Sequence, residues 1–355
     1  MTQEFNVKLL QDYDFKEYTE FLKDQKNGTI FHTIEWKNVL KDTFNYEPMY
    51  LLVKDSEGAL IGICPAFLVK TLFKDVVVSQ PFFEYGGPLI ADGFKGACKD
   101  ILKYYKNFVE SNHIKYVELR GLPYGENKYQ TYNESGYVKQ LKAYDYYINI
   151  GKMDYEKDIW NGLYNNKVRN SVRKGIKNGV EIKEEDNINT YYDLYLKTMG
   201  RLGSPTFPKT MFENICKYCK SLFRFTLAYS GDVPIAGLLS LCYKNKISIV
   251  SNVSCLMSQE YNANDVLYNE LIEYATTNGF EIIDFGRTRP NSSYEKYKKK
   301  WGASKVDLYS YIYPPNAAKS ADPYKYYLTF SRITKKFPWM FTKTKIGSFL
   351  MARFP

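Results

Sequence analysis

The sequence predicts an α/β protein in which one mixed unit is built twice, followed by a basic and aromatic tail. Three observations carry this. The first is an internal repeat. Gly58-Ala59-Leu60-Ile61-Gly62-Ile63 is echoed by Gly231-Asp232-Val233-Pro234-Ile235-Ala236-Gly237-Leu238, and Asn112-His113-Ile114-Lys115-Tyr116-Val117-Glu118-Leu119-Arg120 by the segment from Asn278 to Arg287. Gly136-Tyr137 before one strand is echoed by Gly302-Ala303 before another, so the offsets are roughly 166 to 173 residues, far too long for a solenoid. The second is the alternation of helical and strand periodicities within each copy. The third is size: 355 residues, 45% apolar and 17% aromatic, are enough for two ordinary cores.

Helical patterns open each copy, over residues 13–40 in the first and over 154–177 and 190–222 in the second. Strand pairs follow, 49–54 with 59–68 and 224–229 with 233–243, then third strands near 76–78 and 247–253. An amphipathic helix comes next. In the first copy it covers 94–110, with Asp92 starting it. In the second it covers 266–277, with Leu267, Leu271 and Ala275 inward, Asn264 or Asp265 as cap and Gly279 closing it. Each copy ends on two strands, the last at 144–150 and 307–313. The expected domains are therefore residues 1–153, 154–313 and a tail of 314–355.

Composition narrows the chemistry. Lys and Arg exceed Asp and Glu by 49 to 39, a net charge of +10 that suits an anionic partner. No apolar run reaches the roughly 20 residues of a membrane helix. The start lacks the layout of a signal peptide, so a cytoplasmic location is expected. Six cysteines at irregular spacing suit reduced, mostly buried thiols. Cys216 and Cys219 form a lone C-x-x-C on a helical face, and with only two histidines in the chain no metal site is expected. The same scarcity argues against Ser-His-Asp or Cys-His catalysis and leaves acid-base work to carboxylates, lysine, tyrosine or the substrate.

The reactive edge is expected where the strand 281–285 ends. Asp284-Phe285-Gly286-Arg287 releases the backbone at a glycine, and the basic segment 294–300 follows, with Tyr297 and Lys298, before Trp301-Gly302. A guanidinium at Arg287 suits a carboxylate or phosphate, and the compact ammonium of Lys298 suits a developing oxyanion. Asp284 and Tyr297 complete the candidate catalytic set. Both cations are expected to face a solvent-filled cleft.

Further candidates bind rather than react. On a helix over 166–180, Val168, Val172 and Ile176 form one stripe, and Arg169, Arg173 and Lys177 the next, flanked by Lys167 and Lys174. The sequence does not choose between a tRNA backbone and a diphosphate for this ridge. Ser251, Asn252 and Asn264 lie where a strand leads into a helix start, a place that favours a phosphate or carboxylate. Tyr85-Gly86-Gly87-Pro88 allows close backbone approach. The tail mixes basic residues with aromatics; an anionic membrane surface and the protein's own surface suit it equally.

With these residues assembled, the chain resembles the FemA/FemB/FemX family, peptidoglycan bridge-forming transferases with two GNAT-like domains, and within it the FemAB-related proteins of exosortase and exopolysaccharide systems. The matching pieces are Phe31-His32-Thr33-Ile34-Glu35-Trp36, Tyr85-Gly86-Gly87-Pro88-Leu89, Lys167-x-Arg169 through Gly179-Val180, Leu202-Gly203-Ser204-Pro205, and Asp284-Phe285-Gly286-Arg287 with Tyr294-x-x-Tyr297-Lys298-x-x-Trp301-Gly302. The ending, Lys336-Phe337-Pro338-Trp339 to Arg353-Phe354-Pro355, is also similar. The resemblance implies that Lys37, beside Trp36, binds a nucleotide or lipid diphosphate, that Asp92 lines the acceptor site near Tyr85, and that Lys298 stabilises the carbonyl oxygen. It departs at Tyr297, where the family usually has Phe, and in having no room for a long coiled-coil arm.

The expected function is then transfer of an acyl or aminoacyl group onto an amine of an envelope precursor. Aminoacyl-tRNA is the expected donor, with no cofactor. Acyl-CoA is the alternative, and it would need glycine-rich backbone ahead of Asn264, whereas residues 257–264 contain no glycine. A non-catalytic module binding an anionic polymer or membrane is a second alternative. The expected partners are tRNA, a nucleotide- or lipid-linked precursor and the inner face of the membrane.

Overall fold

The computed structural model describes residues 5–72, 74–83, 85–122, 129–185, 188–288, 292–321, 336 and 346–353. The chain forms two compact units. Unit 1 takes residues 1–142, 308–327 and 349–355, and unit 2 takes 143–307 and 328–348.

Unit 1 opens with β1 (Asn6–Leu9), α1 (Phe15–Asp24) and α2 (Ile34–Phe44). The single helix expected over 13–40 is thus two. The break falls at Gly28, where a Cβ would lie 2.8 Å from Leu22 Cδ1, and at a 3-10 turn over Ile30–His32. Thr33 restarts the helix, its hydroxyl accepting from Trp36 N at 3.1 Å. Short strands follow: β2 (Glu47–Pro48), β3 (Leu51–Lys54), β4 (Leu60–Cys64), β5 (Phe67–Val69), β6 (Val76–Val78) and β7 (Leu89–Ile90). Then come α3 (Ala97–Ser111), β8 (Val117–Arg120), α4 (Tyr129–Glu134) and β9 (Val138–Asn149). Asp92 does not start α3. It is exposed in a turn with Gly93 at φ +89°, and the cap is Gly96.

Unit 2 begins with a π-helical segment over Tyr155–Leu163, then α5 (Asn166–Lys177), β10 (Val180–Glu184), α6 (Ile188–Leu202) and α7 (Lys209–Cys219). The strands β11 (Phe223–Ser230), β12 (Val233–Tyr243) and β13 (Lys246–Ser254) form an antiparallel meander joined to β10. After it come α8 (Ala263–Thr277), β14 (Ile282–Thr288), α9 (Ser293–Lys299) and β15 (Ser304–Tyr313). A last helix, α10 (Ile346–Arg353), closes the described chain.

Strand pairing is mixed in both units. In unit 1, β6 pairs in parallel with β8 and antiparallel with β5, while β1, β3, β4 and β7 form a four-stranded antiparallel sheet. In unit 2, β13 pairs in parallel with β14, and β14 antiparallel with β9. The unit boundaries fall inside β9 and β15 rather than near residue 153. Residues 144–149 of β9 pair with β14 in unit 2, and Ser310 to Tyr313 of β15 pair with β8 in unit 1. Each unit is therefore finished by a strand from the other half of the sequence.

The unit-1 core lies between α3 and the sheet, with Tyr105, Ile101 and Leu102 fully buried. The unit-2 core centres on α8, which buries Val266, Tyr268 and Ile272 besides the expected Leu267, Leu271 and Ala275. At roughly 1.5–3 kcal/mol per fully buried large apolar side chain, this helix is the main hydrophobic anchor of the unit. Across it packs α5, which buries Val168, Val172 and Gly175, while Ile176 is 57% exposed. The stripe turns at Gly175 because a Cβ there would sit 2.4 Å from Val266 Cγ2 and 3.0 Å from Tyr261 O.

Most of the tail lies outside the described residues. The part described ends docked on unit 1: Tyr46 Oη donates to Ala352 O at 3.0 Å and Arg353 Nη1 to Lys70 O at 2.7 Å. Among the described residues no helix is long and apolar enough to cross a membrane.

Candidate active site

Two irregularities loosen the unit-2 sheet at one level. Opposite β12, the register of β13 passes from Leu239↔Ser251 to Ser240↔Ile249, leaving Val250 as an extra residue. Opposite β9, β14 passes from Asp284↔Tyr147 to Arg287↔Asp145, so Phe285 and Gly286 face Tyr146 alone. Gly286 has φ +73°, the left-handed bulge conformation that glycine adopts without steric cost. The parallel pairing of β13 with β14 ends at Ser248↔Asp284. Beyond that rung both strands carry backbone groups outside their mutual ladder, where a substrate carbonyl or amide can bond.

Asp284 stands on this last rung. Ile283 and Phe285 point into the α8 core, so strand alternation turns Asp284 to the opposite face. It is 6% exposed, and its Oδ1 accepts from Gly286 N at 2.6 Å. Asp145 of β9, fully buried, is hydrogen-bonded to it. Burial first, and then the neighbouring Asp145, push the Asp284 carboxyl well above its usual range, against smaller opposing effects of the Gly286 N–H and Lys298.

Lys298 reaches the bulge from α9. Its helix is capped by Ser292, whose hydroxyl accepts from Glu295 N at 3.3 Å. Lys298 is only 5% exposed, and its Nζ donates to Gly286 O at 2.5 Å and to Arg287 O at 3.1 Å. The expectation of a lysine in a solvent-filled cleft is therefore corrected: the ammonium is seated on backbone carbonyls at the strand end. Arg287 is exposed, on a strand that runs to Thr288. Asp284, Arg287 and Lys298 are brought together; the intervening turn at Pro290 and Asn291 lies outside the described residues.

Tyr297 turns the other way, into the core. Its Oη donates to Asp265 Oδ1 at 2.9 Å, and Lys300 Nζ lies 2.5 Å from the same oxygen. Burial, then the Asp265 charge, raise the Tyr297 phenol well above its usual range. Asp265 is in the first turn of α8, whose cap is Asn262 rather than Asn264 or Asp265. Asn252 Nδ2 donates to Asn264 Oδ1 at 3.1 Å, which unites two expected binding residues beside Ser251, whose carbonyl accepts from Tyr191 Oη at 3.0 Å.

The cationic helix divides into two groups. Arg169 is engaged in the fold: its Nη1 donates to Trp160 O at 2.9 Å and Tyr164 O at 2.8 Å, closing the π-helical segment. Lys167, Arg173, Lys174 and Lys177 are exposed, with Arg173 over the Trp160 ring at 5.4 Å. In unit 1, Trp36 is fully buried with its Nε1 on Gln80 Oε1 at 3.1 Å, and Tyr85 is buried too. Lys37 is also buried, its Nζ 4.4 Å from the Phe15 ring centroid, and desolvation, then Lys41, push its ammonium down. It stands within unit 1. Among the described residues no three His, Cys, Asp or Glu side chains gather as a metal site.

Sequence reasoning missed Asp145 and Lys300 and took Asp265 only as a possible helix cap. Asp145 did leave a signal, being a lone charge inside the aromatic run Tyr144 to Tyr147, in phase with a buried strand position.

This architecture is the FemAB-like tandem GNAT fold. Residues 165–299 match the Acetyltransferase (GNAT) domain family. Among solved structures, FemX superposes with a TM-score of 0.67 at 16% identity, over 87% of this chain and 98% of that one. L-PGS from Bacillus licheniformis does so with 0.58 at 12%, over 92% and 97%. A tandem GNAT protein from the clavulanic acid biosynthesis pathway gives 0.56 at 10%, over 87% and 98%. At these identities the likeness is one of fold. No curated protein matches the chain. The family match over residues 165–299 supports an acyltransferase.

Proposed function

We propose that this chain transfers an aminoacyl group from aminoacyl-tRNA to an amine of a nucleotide- or lipid-linked cell-envelope precursor, working in the cytoplasm near the membrane. One observation carries the choice of donor. The first turn of α8, where a coenzyme diphosphate would seek free N–H groups after glycine-rich backbone, instead holds Asp265, bonded to Tyr297 and paired with Lys300 at 2.5 Å. A carboxylate there already takes the place at the helix start that a diphosphate would need. The exposed lysines and Arg173 of α5 suit a tRNA backbone.

The amine attacks the ester carbonyl of the donor. The C–N bond forms, an oxyanion develops, the C–O bond to the ribose breaks, and the amine's proton leaves with the ribose oxygen. The positive charge of Lys298 and the backbone groups beyond the Ser248↔Asp284 rung favour the oxyanion. Arg287, exposed at the same strand end, suits an anionic group of the substrate. The GNAT family match favours acyl-CoA as the second reading.

The test offers purified aminoacyl-tRNA pools and acyl-CoA pools separately, with nucleotide-linked precursors as acceptors, and follows amide formation. Turnover from aminoacyl-tRNA alone is expected. Turnover from acyl-CoA alone overturns the choice of donor.

A further inference from the structure

We propose that Asp145 is a positioning residue: hydrogen-bonded to Asp284, it holds the Gly286 bulge in the shape that seats Lys298. The chain of contacts is short and continuous. Asp145 is fully buried and receives Tyr146 N at 2.7 Å on its Oδ1, which fixes the carboxyl on β9. Asp284, its diagonal neighbour on β14, receives Gly286 N at 2.6 Å. The carbonyl of that same glycine and that of Arg287 receive Lys298 Nζ. The N–H of the bulge is thus held from one side by the acid pair and its carbonyls from the other by the lysine.

Two carboxyls in one hydrogen bond need one proton between them, because like charges at that distance cannot both stand ionised. With that proton the pair carries one negative charge, which Lys298 balances. The groups facing the pair are Lys298 from α9, Arg287 opposite Asp145 in the ladder and Tyr147 opposite Asp284; Ser248, across from Asp284 on β13, carries no charge. Loss of the proton sets two negative charges against each other. Asp284 then gives up its place under Gly286 N, and the carbonyls that seat Lys298 turn with the bulge.

The meaning of this for catalysis rests on the proposed function, but the positioning itself does not, and the experiment separates them. Hydrogen–deuterium exchange of the peptide covering residues 282–288 is followed in the full-length protein between about pH 5 and about pH 9, corrected for intrinsic base dependence. Wild type is expected to lose protection in a step as pH rises. Asp145→Asn keeps a hydrogen bond to Asp284 without the second charge and is expected to abolish the step. Asp145→Ser, too short to reach, is expected to expose the segment at every pH. The alkaline limb of kcat follows the same step, with KM unchanged, and disappears in Asp145→Asn. Identical exchange in wild type and Asp145→Asn, or full protection in Asp145→Ser, overturns the inference. The exchange pattern as expected, with no turnover from any donor, upholds the positioning and overturns the proposed function.

Discussion

Glu118 and Asp284 occupy the same rung in two ladders. Each is the last residue of a short parallel pairing, Val78↔Glu118 in unit 1 and Ser248↔Asp284 in unit 2. Their surroundings have diverged. Lys142 lies 3.3 Å and Arg120 3.5 Å from the Glu118 carboxylate, and the Ser310 hydroxyl donates to it at 2.8 Å. Desolvation pushes Glu118 up, but these cations together outweigh it, so its carboxyl lies below the usual range. Asp284 meets a second acid and moves the opposite way.

Opposite shifts give opposite pH dependences. Glu118, with its folded-state acidity strengthened, contributes stability that is present above its ordinary pKa of 4.5 and is lost as pH falls below it. Glu118→Gln leaves buried Arg120 and partly buried Lys142 without a counter-charge and is expected to cost about 3 kcal/mol at neutral pH. Melting curves of variant and wild type should converge as the pH is lowered.

Asp284 binds its proton more tightly folded than unfolded. Its stabilising effect is therefore full below the ordinary value of 3.8 and is lost as pH rises through the raised folded-state value. Asp284→Asn mimics the protonated acid, with an oxygen for Gly286 N and a donor for Asp145. Its melting temperature is expected to be flatter with pH than that of wild type and to exceed it on the alkaline side. A variant that tracks wild type at every pH refutes this.

Lys298→Ala is expected to lower turnover by about 100-fold or more, as loss of one oxyanion-stabilising group does. It is also expected to destabilise, by about 1–3 kcal/mol, because two part-buried carbonyls lose their donor. The seated position of Lys298, 5% exposed, couples its removal to stability, as a lysine in the expected solvent-filled cleft would not. Activity and melting measured together check both, and Lys298→Arg should recover more stability than turnover.

The cations of α5 should separate by role. Arg169→Ala removes donors from Trp160 O and Tyr164 O and should lower the melting temperature. Lys174→Ala with Lys177→Ala should leave melting in place, weaken tRNA binding and shallow its salt dependence by roughly one to two units of slope. Equal tRNA affinity at low salt removes the nucleic-acid role of this helix.

The tandem α/β architecture was legible because strand and helix periods are written in side chains that pack. α8 and the β11–β12 meander needed nothing more. What escaped was set by contacts that have no period. Gly175 has no side chain to mark it as the buried position, so the stripe was assigned to Ile176. The run Tyr294 to Lys300 reads as solvated basic charge, and it is a helix because Ser292 caps it and Lys298 finds carbonyls across the bulge. At the candidate site, Asp284, Arg287 and Lys298 were named from one stretch, whereas Asp145 arrives from a strand 139 residues earlier, measured to Asp284.

The exchange of strand ends bears on how the protein is made. A nascent chain that has left the ribosome only as far as residue 153 has β8 bonded on one side, since Ser310 to Tyr313 do not yet exist. Glu118, due to meet the Ser310 hydroxyl, waits as well. An open edge of Val117, Leu119 and their neighbours is a template for pairing with another chain. Maturation of the first unit is thus deferred until translation has passed residue 313, and splitting the gene at residue 153 should give two aggregating polypeptides rather than two domains.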